Sequence, residues 1–142
     1  MTIIAWDGVQ LAADKLADNG GVALNVTKIY RLKDGSLFGC TDILAFGLQM
    51  KAWIEGGLKD FPAAQQTEAD WAPCIVITPS KEILMYERTP YPFKVEQTYI
   101  AIGSGREFAT AALHLGKNAV EAVEVAKTLC TTCGGGTDIL VL

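Results

Sequence analysis

The chain opens on short apolar runs separated by tight-turn residues, a pattern of strands rather than helices. Residues 2–6 (TIIAW) are a β-prone run, Asp7-Gly8 is a two-residue hairpin signal, and residues 9–13 supply the return strand. Asn19-Gly20-Gly21 marks a further turn ahead of residues 22–26. Residues 28–32 alternate polar and apolar, and Asp34-Gly35 turns them into residues 36–40. This portion reads as one antiparallel sheet.

The period then changes. Ile43, Phe46, Met50 and Ile54 recur at helical spacing, with Thr41 or Asp42 as N-cap and Gly56-Gly57 as the stop. Residues 58–73, with Pro62, Gln65, Gln66 and Pro73, read as a loop with room for one helical turn. Residues 74–78 and 82–87 form a hairpin around Pro79-Ser80-Lys81, and residues 97–102 the next strand. Two capping patterns follow. Ser104 to Glu107 opens a helix with Phe108, Ala111, Ala112 and Leu115 on one face; Asn118 to Glu121 opens another with Val120, Val123 and Ala126. Gly134-Gly135-Gly136 leads into a closing strand, 137–142. Strands, helix, strands, two helices, strand: this order predicts an α+β domain with two central sheets between helical layers.

Composition narrows the class. A length of 142 residues fits one domain, and half the residues are apolar while a fifth are charged, which excludes disorder. The net charge of −4, with no basic cluster, argues against nucleic acid and anionic membrane as partners. No apolar run suits a membrane helix, and MTIIAWDG lacks the basic start of a secretory signal. A cytoplasmic chain with four reduced cysteines is the expectation.

Few residues carry chemistry. The single histidine, His114, lies in a helix beside Leu113 and Leu115, with nothing near it to suggest a triad. Cys130-Thr-Thr-Cys133 has the spacing of half a zinc site or a dithiol motif, but it ends a helix, and Cys40 and Cys74 stand alone. Structural thiols are the simpler reading. Thr2 has two readings. It is a β-prone residue starting an ordinary strand, with Asp14 and Lys28 as surface charges. Alternatively, removal of Met1 leaves a hydroxyl and an α-amine on one residue, the amine with an ordinary pKa of about 7.7–8.0 and thus fit to act as a base. Such a site needs a cation, an acid to hold it and backbone N–H donors. Taking Asp7-Gly8 as the turn pairs Thr2 with Ala13 and sets Asp14 one residue away.

The series MTIIAWDG, LAAD, TKIYRL, LFGC, IAIGSG and CGGGTDIL resembles the proteasome β-type family of N-terminal nucleophile hydrolases, in particular the small bacterial and phage branch related to HslV-type proteases. The resemblance spans almost the whole chain. It implies a four-layer αββα sandwich and a threonine-type protease needing no metal or organic cofactor. It places Thr2 as nucleophile, Asp14 and Lys28 as the acid and the lysine, Ser104 beside the amine, and Gly39 or Cys40 as the oxyanion donor. It also implies peptide or protein substrates, a hexameric or heptameric ring, and an ATP-driven unfoldase as partner; ring contacts would cover helix faces bearing Met50 and Trp53.

The chain departs from the family at three points. Cys130 and Cys133 stand where the family has an acid and a serine, and a neutral thiol supplies no negative charge. The glycine pair of the oxyanion loop is reduced to Gly39-Cys40. With Met1 retained, the Thr2 amine is tied up in a peptide bond. These departures motivate the alternative of an inactive member of the fold, kept for assembly or partner binding.

Overall fold

The computed structural model describes residues 1–62 and 72–142, so the middle of the expected 58–73 loop, including Gln65 and Gln66, lies outside the described residues. The fold is α+β with antiparallel sheets. A four-stranded sheet runs β10-β1-β2-β11, formed by Ile100–Gly103, Ile3–Trp6, Gln10–Asp14 and Thr137–Val141. A five-stranded sheet runs β5-β6-β7-β8-β9, formed by Ile29–Arg31, Leu37–Cys40, Cys74–Ile77, Ile83–Tyr86 and Phe93–Val95. The hairpin β3 (Leu16–Asn19) and β4 (Val22–Asn25) pairs with neither. The N-terminal strands are therefore divided among three sheets rather than joined in one. Local pattern gives strands; which strands pair is decided by burial, and β1 is buried on both faces.

Alternation along β1 shows how the layers meet. Ile3 and Ala5 pack with Ala109, Ala112, Ala122, Val123 and Ala126 of two helices, α2 (Arg106–His114) and α3 (Ala119–Leu129). Ile4 and Trp6 face the other way, onto Ile29, Leu37, Ile75, Ile77 and Ile83 of the five-stranded sheet. The far side of that sheet presents Phe38, Cys40, Cys74 and Val76 to Phe46, Met50 and Trp53 of α1 (Leu44–Glu55). Met50 and Trp53 are thus covered within the chain and need no ring contact.

Two helices differ from expectation. The buried residues of α2 are Ala109, Ala112 and Leu113, while Phe108 and Leu115 are exposed. Small residues let α2 approach α3, whose facing positions are also alanines, and this close packing outweighs burial of the larger side chains. Neither Thr41 nor Asp42 caps α1, whose N-cap is Ile43, and Ser104 does not cap α2. The box at Asn118 and Glu121 does form.

The first hairpin is slipped by two residues from its expected register. Ile4 pairs with Ala13 and Trp6 with Leu11, so the turn is centred on Gly8-Val9. Asp7 fixes it, its Oδ1 accepting from the N–H groups of Val9 and Gln10 at 2.8 and 2.9 Å. Its Oδ2 accepts from Ala119 N–H at 2.8 Å, tying the turn to the start of α3. A two-residue slip preserves the faces of the strand, so the core is unchanged. Burial works to raise the Asp7 carboxyl, but the N–H donors of Ala119, Gln10 and Val9 outweigh it and hold the group below its usual value. Asp7→Ala is expected to cost about 1 kcal/mol at neutral pH, as for a lost helix cap. Because the folded pKa is depressed, the ionised group's contribution is present above the unfolded value and fades as pH falls through the folded one. Urea titrations of both proteins at neutral and acidic pH check this; a gap that widens on acidification would contradict it.

Candidate active site

Thr2 immediately precedes β1, at the end of the four-stranded sheet, and is buried. Its backbone is held by the loop after β10: the N–H donates to Ser104 Oγ at 3.0 Å, and the carbonyl accepts from Gly105 N–H at 3.2 Å and Ser104 Oγ at 3.3 Å. The loop Gly103-Ser104-Gly105 thus approaches Thr2 closely. Gly103 has φ +106°, and a Cβ there would lie 2.1 Å from the Thr2 carbonyl oxygen.

Asp14 and Lys28 are not surface charges. Asp14 is fully buried and Lys28 is 4% exposed. Lys28 Nζ lies 2.8 Å from Asp14 Oδ1, which also accepts from Ile3 N–H at 3.0 Å. Asp14 Oδ2 accepts from Gly134 N–H at 3.0 Å. The carboxylate is therefore satisfied on both oxygens by one ammonium and two backbone donors, which is what keeps a buried charge tolerable. The acid reaches the site by this route, through Ile3 and Lys28, rather than by facing Thr2 across the hairpin.

Lys28 and Thr2 meet at a single atom. The Met1 carbonyl oxygen accepts from Lys28 Nζ at 3.1 Å and from Thr2 Oγ1 at 2.6 Å. An ammonium, a hydroxyl and an amide carbonyl are thus gathered on one point beside a cavity of about 300 Å³. Its walls include Thr2, Lys28, Leu16, Asp18, Val26 and Ile43.

Gly39 does not present a free donor. It lies in β6 opposite Ile29 on one side and Ile75 on the other. Cys40 N–H is directed at the Lys28 carbonyl and Thr41 N–H at Pro73, so strand alternation turns Gly39 N–H onto β7. Gly39 instead admits Ile4, whose Cδ1 would be 3.1 Å from an added Cβ. The N–H groups of Asp42 and Ile43 have no acceptor among the described residues, and both residues line the Thr2 cavity. Sequence reasoning weighed Asp42 only as a helix cap and missed both N–H groups; for Ile43, the N-cap of α1, the signal was the helix start itself, whose first backbone donors lack intrahelical partners.

Behind Ser104 stands the cysteine turn. Thr132 Oγ1 donates to Ser104 Oγ at 2.8 Å, Cys130 Sγ lies 3.2 Å from Thr132 Oγ1, and Cys133 Sγ lies 3.7 Å from Ser104 Oγ. Burial pushes the Cys133 thiol up to about 11, so it carries no charge at neutral pH. Cys130 is shifted the other way, chiefly by the Thr132 hydroxyl. Among the described residues no group of three or more His, Cys, Asp or Glu is placed to hold a metal ion. Exposed His114 sits elsewhere, its Nδ1 3.2 Å from the Tyr99 hydroxyl. No described helix is long and apolar enough to cross a membrane.

No family model matches the chain, and no curated protein sequence does. Solved structures do match. Thiobacillus denitrificans BPH superimposes with a TM-score of 0.70 at 20% identity, over 100% of this chain and 97% of that one. Thiobacillus denitrificans BPH in complex with epoxomicin gives a TM-score of 0.69 at 19% identity, over 100% and 98%. At such identity the likeness is one of fold.

Proposed function

We propose that this chain is a threonine-type N-terminal nucleophile hydrolase, proteasome β- and HslV-like, that cleaves peptide or other amide bonds once Met1 has been removed. The observation that carries the reading is the convergence of Thr2 Oγ1 and Lys28 Nζ on one amide carbonyl oxygen, with Asp14 holding the lysine and Ser104 the Thr2 nitrogen. In the mature chain the Thr2 amine takes the Oγ1 proton as the oxygen attacks the substrate carbonyl. The Lys28 ammonium steadies the developing negative charge. The N–H groups of Asp42 and Ile43 are the donors for the oxyanion. The αββα sandwich belongs to the same reading, supported by three apolar clusters that alternate between helices and sheets.

The epoxomicin complex of the fold neighbour adds support. Epoxomicin is an epoxyketone, and its two electrophilic centres suit a hydroxyl and a free amine on one residue. A ring of six or seven copies, fed by an ATP-driven unfoldase, extends the proposal; exposed Val22 and Leu24 on β4 supply apolar surface for a neighbouring copy.

The test is mass spectrometry of the protein purified from its host, before and after a peptide epoxyketone. The expected result is a chain lacking Met1 that gains one adduct on Thr2, with no adduct in Thr2→Ala; the native spectrum reads the ring. A chain that keeps Met1, or loses it and takes no adduct, overturns the reading. The inactive-scaffold alternative would then stand, motivated by the uncharged Cys133 at the supporting position.

A further inference from the structure

Ser104 Oγ can meet the Thr2 nitrogen in two ways: it accepts from the nitrogen and leaves the lone pair free, or it donates into that lone pair. The groups around Ser104 decide between them. Thr132 Oγ1 donates to Ser104 Oγ at 2.8 Å, and the Ser104 proton lies toward the Thr2 carbonyl at 3.3 Å. The remaining lone pair accepts from Thr2 N, the nitrogen of the Met1–Thr2 amide, at 3.0 Å. Thr132 is presented by a tight turn, closed by Cys133 N–H on the Cys130 carbonyl at 3.4 Å. Its side chain is half-buried, and Cys130 Sγ at 3.2 Å is its other partner.

We propose that Thr132 is a positioning residue for the base: its hydroxyl anchors the Ser104 hydroxyl with its proton on the Thr2 carbonyl and a lone pair toward the Thr2 nitrogen, so that the amine left by removal of Met1 keeps its own lone pair free for the Oγ1 proton. This rests on the reading of Thr2 as nucleophile. The family-like acid and serine are cysteines in this chain, and the task of orienting Ser104 falls to the threonine between them. Hydroxyl direction, rather than a negative charge, does the orienting.

The sign of the effect follows from which form of the amine each arrangement favours. A serine that accepts from N–H favours the ammonium; one that donates to the lone pair favours the neutral amine while blocking it. Loss of the Thr132 hydroxyl removes the anchor that sets this orientation, so the Ser104 hydroxyl can rotate its proton from the Thr2 carbonyl onto the amine. The reaction then slows, and the acidic limb of its pH profile moves to lower pH. The other titratable groups packed around Thr2 and Ser104 are Asp14 of β2, Asp18 of β3, Lys28 before β5, Cys40 of β6, Asp42 before α1, and the Cys130 and Cys133 thiols after α3. All of them remain in each protein compared.

The experiment measures the rate of adduct formation with a peptide epoxyketone from about pH 5 to pH 9, in wild type, Thr132→Val, Thr132→Ala and Thr132→Ser. Thr132→Val is expected to react about fivefold more slowly at its plateau, the effect of one neutral hydrogen bond, with its acidic limb displaced downward. Thr132→Ala should match it, and Thr132→Ser should restore both rate and limb. If Thr132→Val folds poorly, the alanine and serine variants carry the comparison. A labelled wild type beside hydroxyl-free variants with the same rate and limb overturns this inference alone, as does a serine variant that behaves like valine. A wild type unlabelled at every pH overturns the assignment of Thr2, and this inference with it.

Discussion

Lys28→Met is expected to lower the unfolding free energy by about 3–5 kcal/mol and to abolish adduct formation at Thr2. The stability loss arises at Asp14 rather than at residue 28. Methionine fills most of the lysine's volume, but the fully buried carboxylate loses its Lys28 ammonium and keeps two backbone donors, from Ile3 and Gly134. Both donors are neutral, so an uncompensated charge remains in a low-dielectric site. Lys28→Met/Asp14→Asn removes that charge and should recover a substantial part of the stability while remaining unreactive. Denaturant titration and epoxyketone labelling of the same samples separate the two effects. Because the pair is buried, its effect should change little with salt. A single variant that is as stable as wild type would show that Asp14 is not the buried anion this geometry requires.

Gly103→Ala should be of similar consequence by a different cause. The residue has φ +106°, where an L side chain is strained, and its Cβ would meet the Thr2 carbonyl oxygen at 2.1 Å and carbon at 2.7 Å. That carbonyl is held from two directions by Gly105 N–H and Ser104 Oγ, so it has no easy retreat. Backbone strain of about 1–2 kcal/mol and overpacking of about 1–3 kcal/mol together predict a loss of roughly 2–5 kcal/mol. Thr2 must also shift, so labelling should fall sharply. Gly20→Ala is the matched control, since Gly20 has φ +60° and nothing within 4 Å of an added Cβ. It should show the strain alone and label normally. Equal losses in the two variants would remove the argument for steric contact with Thr2.

The parts of this design that are local were legible in the sequence. Turn residues and apolar runs located most strands, and Asn118 with Glu121 announced a helix start that forms as read. The resemblance brought Thr2, Asp14, Lys28 and Ser104 together, and the structure does converge them. What failed depended on distant partners. Ser104 looked like a helix cap, but its hydroxyl is engaged by Thr2 and Thr132, 102 and 28 residues away. Gly39 looked like an oxyanion donor, but strand pairing on both sides directs the N–H groups of β6 into the ladder. The two-residue slip of the first hairpin was invisible because Asp7 serves the turn and α3 at once. Thr132 carried no signal in the sequence, since a hydroxyl in a turn has meaning only beside the atom it orients.

The sequence separations within the site have a consequence for synthesis. Thr2 is bonded to Ser104 across 102 residues, and Asp14 to Gly134 across 120. At about 5–20 residues per second, Thr2 leaves the ribosome many seconds before the groups that hold it. Until then β1 has its hairpin partner but lacks β10, leaving an apolar edge open. During that interval Thr2 has neither Ser104 on its nitrogen nor the Gly134 donor that helps hold Asp14. On the proposed reading of Thr2, competence arrives only once Gly134 has been made, so the order of translation itself keeps a nascent chain from reacting early.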